Sequence, residues 1–514
     1  MMRRRTWAAV SGALSVGLGV IGGELAAAAL SPSVTPVSAV GSAVIDVLPP
    51  GVKDWAIAWF GTADKAVFLV TIAVFIAVVA LAAGVLEYRR AFAGRAIIVG
   101  FAVLGVLAVA SRPQSSLVSF VAPVVAGLVA ILVLNALIRA LRAWTRTADD
   151  GGAGPLPARR RFLQGAGGAA VVAAAATGVR SSQSVVTQQR SAITLPAPTE
   201  TAAPPPPEGS FVPAGADLGI EGVSDLVTAS DDFYRIDTAL VVPVVDPAQW
   251  SLKVTGLVDR EIEITFAELL ALPLVERYVT LACVSNPVGG DLTGNARWLG
   301  WPVRELLARA GVRPEADMVL SRSVDGFTAG TPLEALTDAR DSLLAVGMNG
   351  EPLPVEHGFP VRLVVPGLYG FVSATKWVSE LKVTRFADDT AYWSTRGWSE
   401  RGPVKTSSRV DVPRPSASVP AGDVVVGGVA WAQHRGVEAV EVRVDGGEWQ
   451  RATLARPISA DTWCQYGTTL QLGAGSHTVQ SRAVDREGGV QSDAVVDPAP
   501  DGSEGLHTVT FTVT

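Results

Sequence analysis

The sequence predicts a multi-domain protein. Transmembrane α-helices come first, then a mixed α+β domain, then a C-terminal immunoglobulin-like β-sandwich. Three observations carry that expectation. Of the 514 residues 49% are hydrophobic and only 18% charged, and the mean hydropathy of +0.34 is too apolar for one ordinary soluble protein. The apolar excess lies before residue 140. From Val424 onward the texture changes to short alternating strands with Gly-rich turns.

The length suits about three or four units of roughly 100–200 residues. A net charge of −6 argues against nucleic acid as a partner. Two cysteines and four histidines, the first at His357, exclude a disulfide framework, a four-thiolate iron–sulfur cluster and a zinc ribbon. Neither haem nor an iron–sulfur cluster is expected, because the apolar stretches contain no histidine and no Cys-x-x-Cys-His occurs.

The membrane region is read as residues 1–180. Four apolar stretches, Trp7–Leu30, Ala66–Leu86, Ala96–Ala110 and Leu117–Ile138, approach or exceed the ~17–25 residues that span a bilayer. Arg3–Arg5, then Arg89, Arg90 and Arg95, then Arg139, Arg142 and Arg146 mark the cytoplasmic side, since short cytoplasmic loops retain Lys and Arg. Next comes Arg159-Arg160-Arg161-Phe162-Leu163-Gln164, which looks like a twin-arginine export signal inside the chain. A Gly/Ala run to Val179 follows it, giving about five spans. The expected location is therefore a multi-pass protein of the cell membrane, with everything after Arg180 outside. Glu24 alone is weak evidence for an ion pathway.

Residues 181–210 read as a Pro-rich linker ending in Pro204–Pro207. Residues 211–412 read as the mixed domain, with strand-like runs at Leu252–Val254, Tyr278–Ala282, Val361–Val365 and Trp377–Val383, and a helix at Pro302–Ala310. Residues 413–514 read as the sandwich. There Val440, Val442 and Val444 alternate, Asp445-Gly446-Gly447 turns the chain, and Trp449 begins the return strand.

Cys283 ends the run Arg277–Ala282 just before Ser285-Asn286-Pro287 and Gly289-Gly290. A thiol there is placed to ligate a soft metal. A buried structural cysteine, or a disulfide to Cys464, explains the same residue. His357 leads into Val361-Arg362, where an imidazole and a planar guanidinium suit a cofactor and its phosphate; a turn histidine and a strand-edge charge read equally well. The run Gly367-Leu368-Tyr369-Gly370-Phe371-Val372-Ser373-Ala374-Thr375-Lys376-Trp377 offers backbone N–H groups and a cation to an anion.

Taken together, these pieces resemble the molybdopterin-dependent oxidoreductases of the sulfite oxidase type, in a membrane-anchored bacterial form. The matches come in order: Phe233-Tyr234-Arg235, Leu281-Ala282-Cys283-Val284-Ser285-Asn286, Ala296–Gly300, Met348–Pro354, His357–Arg362, Val364–Gly367, Lys376-Trp377 and Pro403–Thr406. The resemblance runs from Phe233 to Thr514, about 280 of the 514 residues. The resemblance implies a molybdenum–molybdopterin cofactor with Cys283 as the metal's protein ligand. It places Phe233, Tyr234, Arg235, Ile236, Asp237, Asp325, His357, Arg362, Ala374, Thr375 and Lys376 at the cofactor. Arg235 meets an oxyanion substrate, and Lys405 adds a second cation. The implied reaction is oxygen-atom transfer, the metal cycling by two electrons, with the sandwich acting as a dimerisation domain.

The departures matter. Animal and plant sulfite oxidases follow the cysteine with Ala-Gly-Asn-Arg-Arg; here Val284-Ser285-Asn286-Pro287 stands instead, so one pocket arginine is missing. Asp237 replaces the family's histidine after the Phe-x-Arg segment. Less positive charge shifts the expected substrate from sulfite toward a neutral or singly charged S- or N-oxide. No cytochrome b5-like domain is present, so electrons are expected to pass to an external cytochrome or quinone. One reading from another class stands beside this: a metal-free, tethered immunoglobulin-like binding or adhesion protein.

Overall fold

The computed structural model describes residues 2–31, 35–47, 64–112, 117–149, 182–201, 212–239 and 241–514, with Trp59, Ser115 and Gln164 besides. It divides into two compact units, Met1–Val186 with Thr238–Val244, and Thr187–Asp237 with Val245–Thr514.

The first unit is helical. Four stretches are long and apolar enough to cross a membrane: Arg4–Leu30, Val67–Arg89, Ala93–Ala110 and Leu117–Thr145. They coincide with the four expected from hydropathy. The expected fifth span and Arg159–Leu163 lie outside the described residues. Val70, Val74, Phe75, Val103, Leu107 and Leu132 stay exposed on the outer faces, as a lipid solvent allows. Helix contacts run through small residues instead. A Cβ on Gly12 would collide with Ala80 O and one on Gly84 with Ala8 O; in the same way Gly19 meets Ala126 and Ala130, and Gly23 meets Ala126 and Ala122.

The charges in this unit stitch helices together. Glu87 pairs with Arg95 at 2.7 Å and accepts the Phe92 and Gly94 N–H groups at 3.1 Å each. Glu24 accepts the Val37 N–H at 3.0 Å, capping a short apolar helix, Pro36–Val47, that the hydropathy reading missed. Its carboxylate is accounted for by that cap.

In the second unit, the upstream half has two sheets. The first has strand order β2-β1-β10-β5-β6, built from β1 (Ser251–Gly256), β2 (Ile262–Thr265), β5 (Met318–Ser323), β6 (Thr328–Pro332) and β10 (Val378–Thr384). Only the β1–β10 pairing is parallel. The second has order β3-β4-β7-β8 with β9 also on β7: β3 (Val275–Ala282), β4 (Thr293–Pro302), β7 (Leu343–Met348), β8 (Glu351–Pro352) and β9 (Arg362–Val364). The helix Val303–Ala310 buries Val303, Leu306, Leu307 and Ala310, a spacing that forms one helical face. It ends at Gly311, whose φ of +72° is the left-handed cap that glycine favours.

The linker is shorter than expected. Ser182–Ser191 is helical, Arg190 pairs with Glu351 at 2.9 Å, and Thr199 N–H donates to Leu274 O at 2.7 Å. Pro204–Pro207 lie outside the described residues.

Downstream, two more sheets share one apolar core of Val426, Val440, Val442, Tyr466, Val479 and Phe511. The boundary falls earlier than residue 413. Ser407–Val412 pairs antiparallel with Gly422–Trp431, because Val410 enters this core and the buried Ser408 hydroxyl bonds Ser481 and Gln491. The Asp445–Gly447 turn stands as expected, but its return strand is only Gln450–Arg451. The long partner of Val437–Val444 is Gly475–Asp485.

Candidate active site

The β3–β4 register pairs Ala282 with Thr293, so Cys283 is the first residue past the strand. Its N–H donates to Leu292 O at 2.9 Å, and its own carbonyl accepts from Asn286 N–H at 3.1 Å. Asn286 Oδ1 accepts from Leu292 N–H at 3.0 Å and closes the loop. Cys283 is 8% exposed; its thiol lies 2.9 Å from Ser285 Oγ and is pushed up in pKa by burial. Cys283 and Cys464 are both free thiols, so the disulfide explanation falls. Cys464 belongs to the downstream core, where burial raises it to about 12.

An aromatic wall stands beside this loop. Phe233 stacks on Tyr234 at 5.2 Å and meets Trp298 and His357 edge-on at 5.7 and 5.6 Å. A Cβ on Gly370 would lie 3.8 Å from Ala282 O and 3.9 Å from the Tyr234 hydroxyl. That brings the Tyr369-Gly370 turn onto the end of β3. Burial raises the Tyr234 and Tyr369 phenols, and each also feels Cys283.

The polar side is cationic. His357 Nε2–H donates to Ser230 O at 3.1 Å. Burial first, then Arg362 and Lys376, push its pKa down to about 3, so the ring is neutral. Arg362 is 5% exposed. Its guanidinium donates to the carbonyls of His357 at 3.1 Å, Leu363 at 3.3 Å and Ala374 at 3.4 Å, and it lies 5.1 Å above the Trp298 ring. Burial lowers it to about 10. Lys376 donates to Asp237 at 2.7 Å and to Glu356 O at 3.0 Å; burial outweighs the aspartate and brings it to about 8. Arg235, the most exposed of the three, shares the same Asp237 oxygen at 2.9 Å. The described ion pairs thus give three cations one carboxylate, and Arg362 none.

That imbalance tests the cofactor. A buried guanidinium with carbonyl partners alone is an incomplete site, and a phosphate completes it. A thiol beside it suits a soft metal. The residues fit a phosphate-bearing, thiolate-bound molybdopterin.

The other expected residues vary. Thr375 is fully buried with its hydroxyl 2.7 Å from Ser321 Oγ. Ala374 contributes the carbonyl that Arg362 reaches. Ile236 is half-exposed and offers no polar side chain. Asp325 sits in the β5–β6 turn, its carboxylate accepting the Phe327 N–H at 3.2 Å. Lys405 differs from expectation. Its ammonium is held by Asp501 at 3.0 Å and Glu504 at 2.8 Å, so it brings no surplus positive charge. Sequence reasoning missed Tyr369 as a site residue although it stood in the Gly-rich run. It also missed Ser230, and had no signal for Asp501 or Glu504.

This fold and constellation define a molybdopterin-binding oxidoreductase. The family model described as "Oxidoreductase molybdopterin binding domain" matches residues 239–393. Chicken sulfite oxidase is 30% identical over 331 residues, 55% of this chain and 72% of that protein. Human mitochondrial sulfite oxidase is 31% identical over 306 residues, 50% of this chain and 56% of that protein. The uncharacterized oxidoreductase YuiH of Bacillus subtilis is 36% identical over 157 residues, 30% of this chain and 76% of that protein. Among solved structures, the sulfane dehydrogenase SoxCD of Paracoccus pantotrophus aligns with a TM-score of 0.50 at 24% identity, covering 57% of this chain and 84% of that one, a likeness of fold. The chain belongs to the sulfite oxidase family of molybdopterin oxidoreductases.

Proposed function

We propose that the protein is a membrane-anchored, extracytoplasmic member of the family that transfers an oxygen atom to or from a small oxyanion or an S- or N-oxide. Electrons pass to or from a separate carrier, a cytochrome or quinone. The observation that carries this reading is Arg362, buried with no carboxylate partner among the described residues, beside a strand-end thiol; an anion and a soft metal suit those groups. When bound, the cofactor supplies two-electron oxygen-atom chemistry. Cys283 is its protein ligand. Arg362 and Lys376 take the phosphate, and Phe233, Tyr234, Ile236, Asp237, Asp325, His357, Ala374 and Thr375 line the pterin. Arg235 faces the substrate oxygen. The downstream sheets are assigned as an immunoglobulin-like domain through which the enzyme forms a homodimer.

Purified protein should contain molybdenum and pterin in equal amounts with the chain. No arginine closely follows Cys283, and each charge-assisted contact contributes about 1.5–3 kcal/mol, on the order of ten- to a hundredfold in binding. Steady-state kinetics with an artificial electron carrier should therefore favour a sulfoxide or N-oxide over sulfite. Absence of the metal would overturn the function, and a low-micromolar KM for sulfite with the faster turnover would overturn the substrate class.

The topology rests on the basic loops. A reporter active only in the cytoplasm, fused after Thr514, should be silent. Replacing Arg159 and Arg160 with Lys should reduce export; unchanged export would make that segment an ordinary fifth span.

A further inference from the structure

Residues 501–507, far from Cys283 in sequence, close over the loop that carries it. Ser503 Oγ donates to Asn286 O at 2.7 Å. Gly502, at φ +103°, lies against the Tyr369 phenol: a Cβ there would be 2.6 Å from its oxygen. Lys405 N–H points at the same phenol oxygen, 3.4 Å away, and the Lys405 ammonium donates to Asp501, to Glu504 and to Gly502 O at 2.8 Å. The Tyr369-Gly370 turn in turn rests on Ala282, the neighbour of Cys283. One ammonium with two carboxylates leaves this wall one negative charge, opposite in sign to the Arg235–Arg362–Lys376 side.

We propose that Asp501 and Glu504 determine charge selectivity at the site: by holding Lys405 they set a net negative wall beside Tyr369 that disfavours dianions and admits uncharged oxides. The proposal rests on the functional reading above and deepens it. The two carboxylates act through Lys405 and the local field, and touch no reacting atom. An unscreened negative charge close to a tetrahedral dianion raises its binding free energy, and the effect diminishes as salt screens it. Freeing Lys405 turns the wall from net negative to net positive.

The probe is inorganic sulfate, an unreactive tetrahedral dianion, titrated calorimetrically into molybdenum-loaded full-length protein at low ionic strength. Asp501→Asn with Glu504→Gln should tighten sulfate on the order of tenfold to a hundredfold. Adding Lys405→Met to that pair leaves the wall uncharged and should give back about half of the gain on a logarithmic scale, and raising the salt should shrink it. Unchanged sulfate affinity in the metal-loaded double variant overturns the proposal, as does a gain that stays undiminished when Lys405 is also removed. If the double variant does not fold, Glu504→Gln alone carries the same test with a smaller gain. Loss of folded protein there too would make the pair a structural clamp and overturn the proposal. Wild-type protein without molybdenum would instead defeat the functional reading.

Discussion

Replacing Cys283 with Ser should lower turnover by on the order of a thousandfold or more, the scale on which removing a group central to a reaction acts. The substitution exchanges a soft thiolate for a hard, weakly acidic hydroxyl in a position that burial already makes unfavourable for an anion. The loop should survive, because its closing bonds run through the Cys283 backbone and Asn286 rather than the thiol. Pterin should be largely retained, while X-ray absorption at the metal loses one sulfur neighbour. Full activity in this variant would remove Cys283 from the metal. The matching control is Cys464→Ala, which trims the downstream core and should leave turnover intact.

Replacing Arg362 with Met should empty the pterin site. Two charge-assisted bonds from a planar fork are together worth about 3–6 kcal/mol, on the order of a hundred- to ten-thousandfold in cofactor affinity. The cofactor-free protein should respond differently. It loses three carbonyl contacts but is also relieved of a buried cation that no carboxylate among the described residues balances, and these effects oppose each other. Its melting temperature should therefore change far less than pterin content does. Arg362→Lys keeps the charge without the fork and should fall between. Wild-type pterin content in the Met variant would sink the assignment of Arg362 to the phosphate.

The sequence exposed what is local. The four spans are legible because hydropathy needs no partner, and the helix Val303–Ala310 because its apolar spacing does not either. Cys283 is legible as a strand-end thiol, since the strand and the Gly-rich turn adjoin it. What depends on distant pairing is not legible. The parallel β1–β10 contact joins Lys253 to Glu380, and the placement of Ser407–Val412 follows from a core completed by Val479 and Phe511. Charge is hardest of all to read. Lys405 looks like a second cation until Asp501 and Glu504 arrive from almost a hundred residues further on, in a loop with no periodicity to announce it. Arg362 is the reverse case, a strand residue whose want of a carboxylate partner among the described residues becomes visible only in three dimensions. Family order led to the residues expected at the cofactor, and geometry to the imbalance of charge among Arg235, Arg362 and Lys376.

The loop after Cys283 is pinned from downstream at three points. Arg409 donates to Gly290 O at 2.8 Å, Ser503 holds Asn286, and a side chain on Gly289 would strike the His507 ring. The ordering in time follows directly. A ribosome delivers Cys283 more than two hundred residues before Ser503 and His507, so while the chain is being made the thiol sits on a flap with nothing to latch it. The latch arrives only with residues 503–507, just before the strand Thr508–Val513. If the loop holds the cofactor as proposed, its retention is tied to the folding of the downstream sheets: a pterin that arrives before residues 503–507 have docked meets a loop that is still free to open.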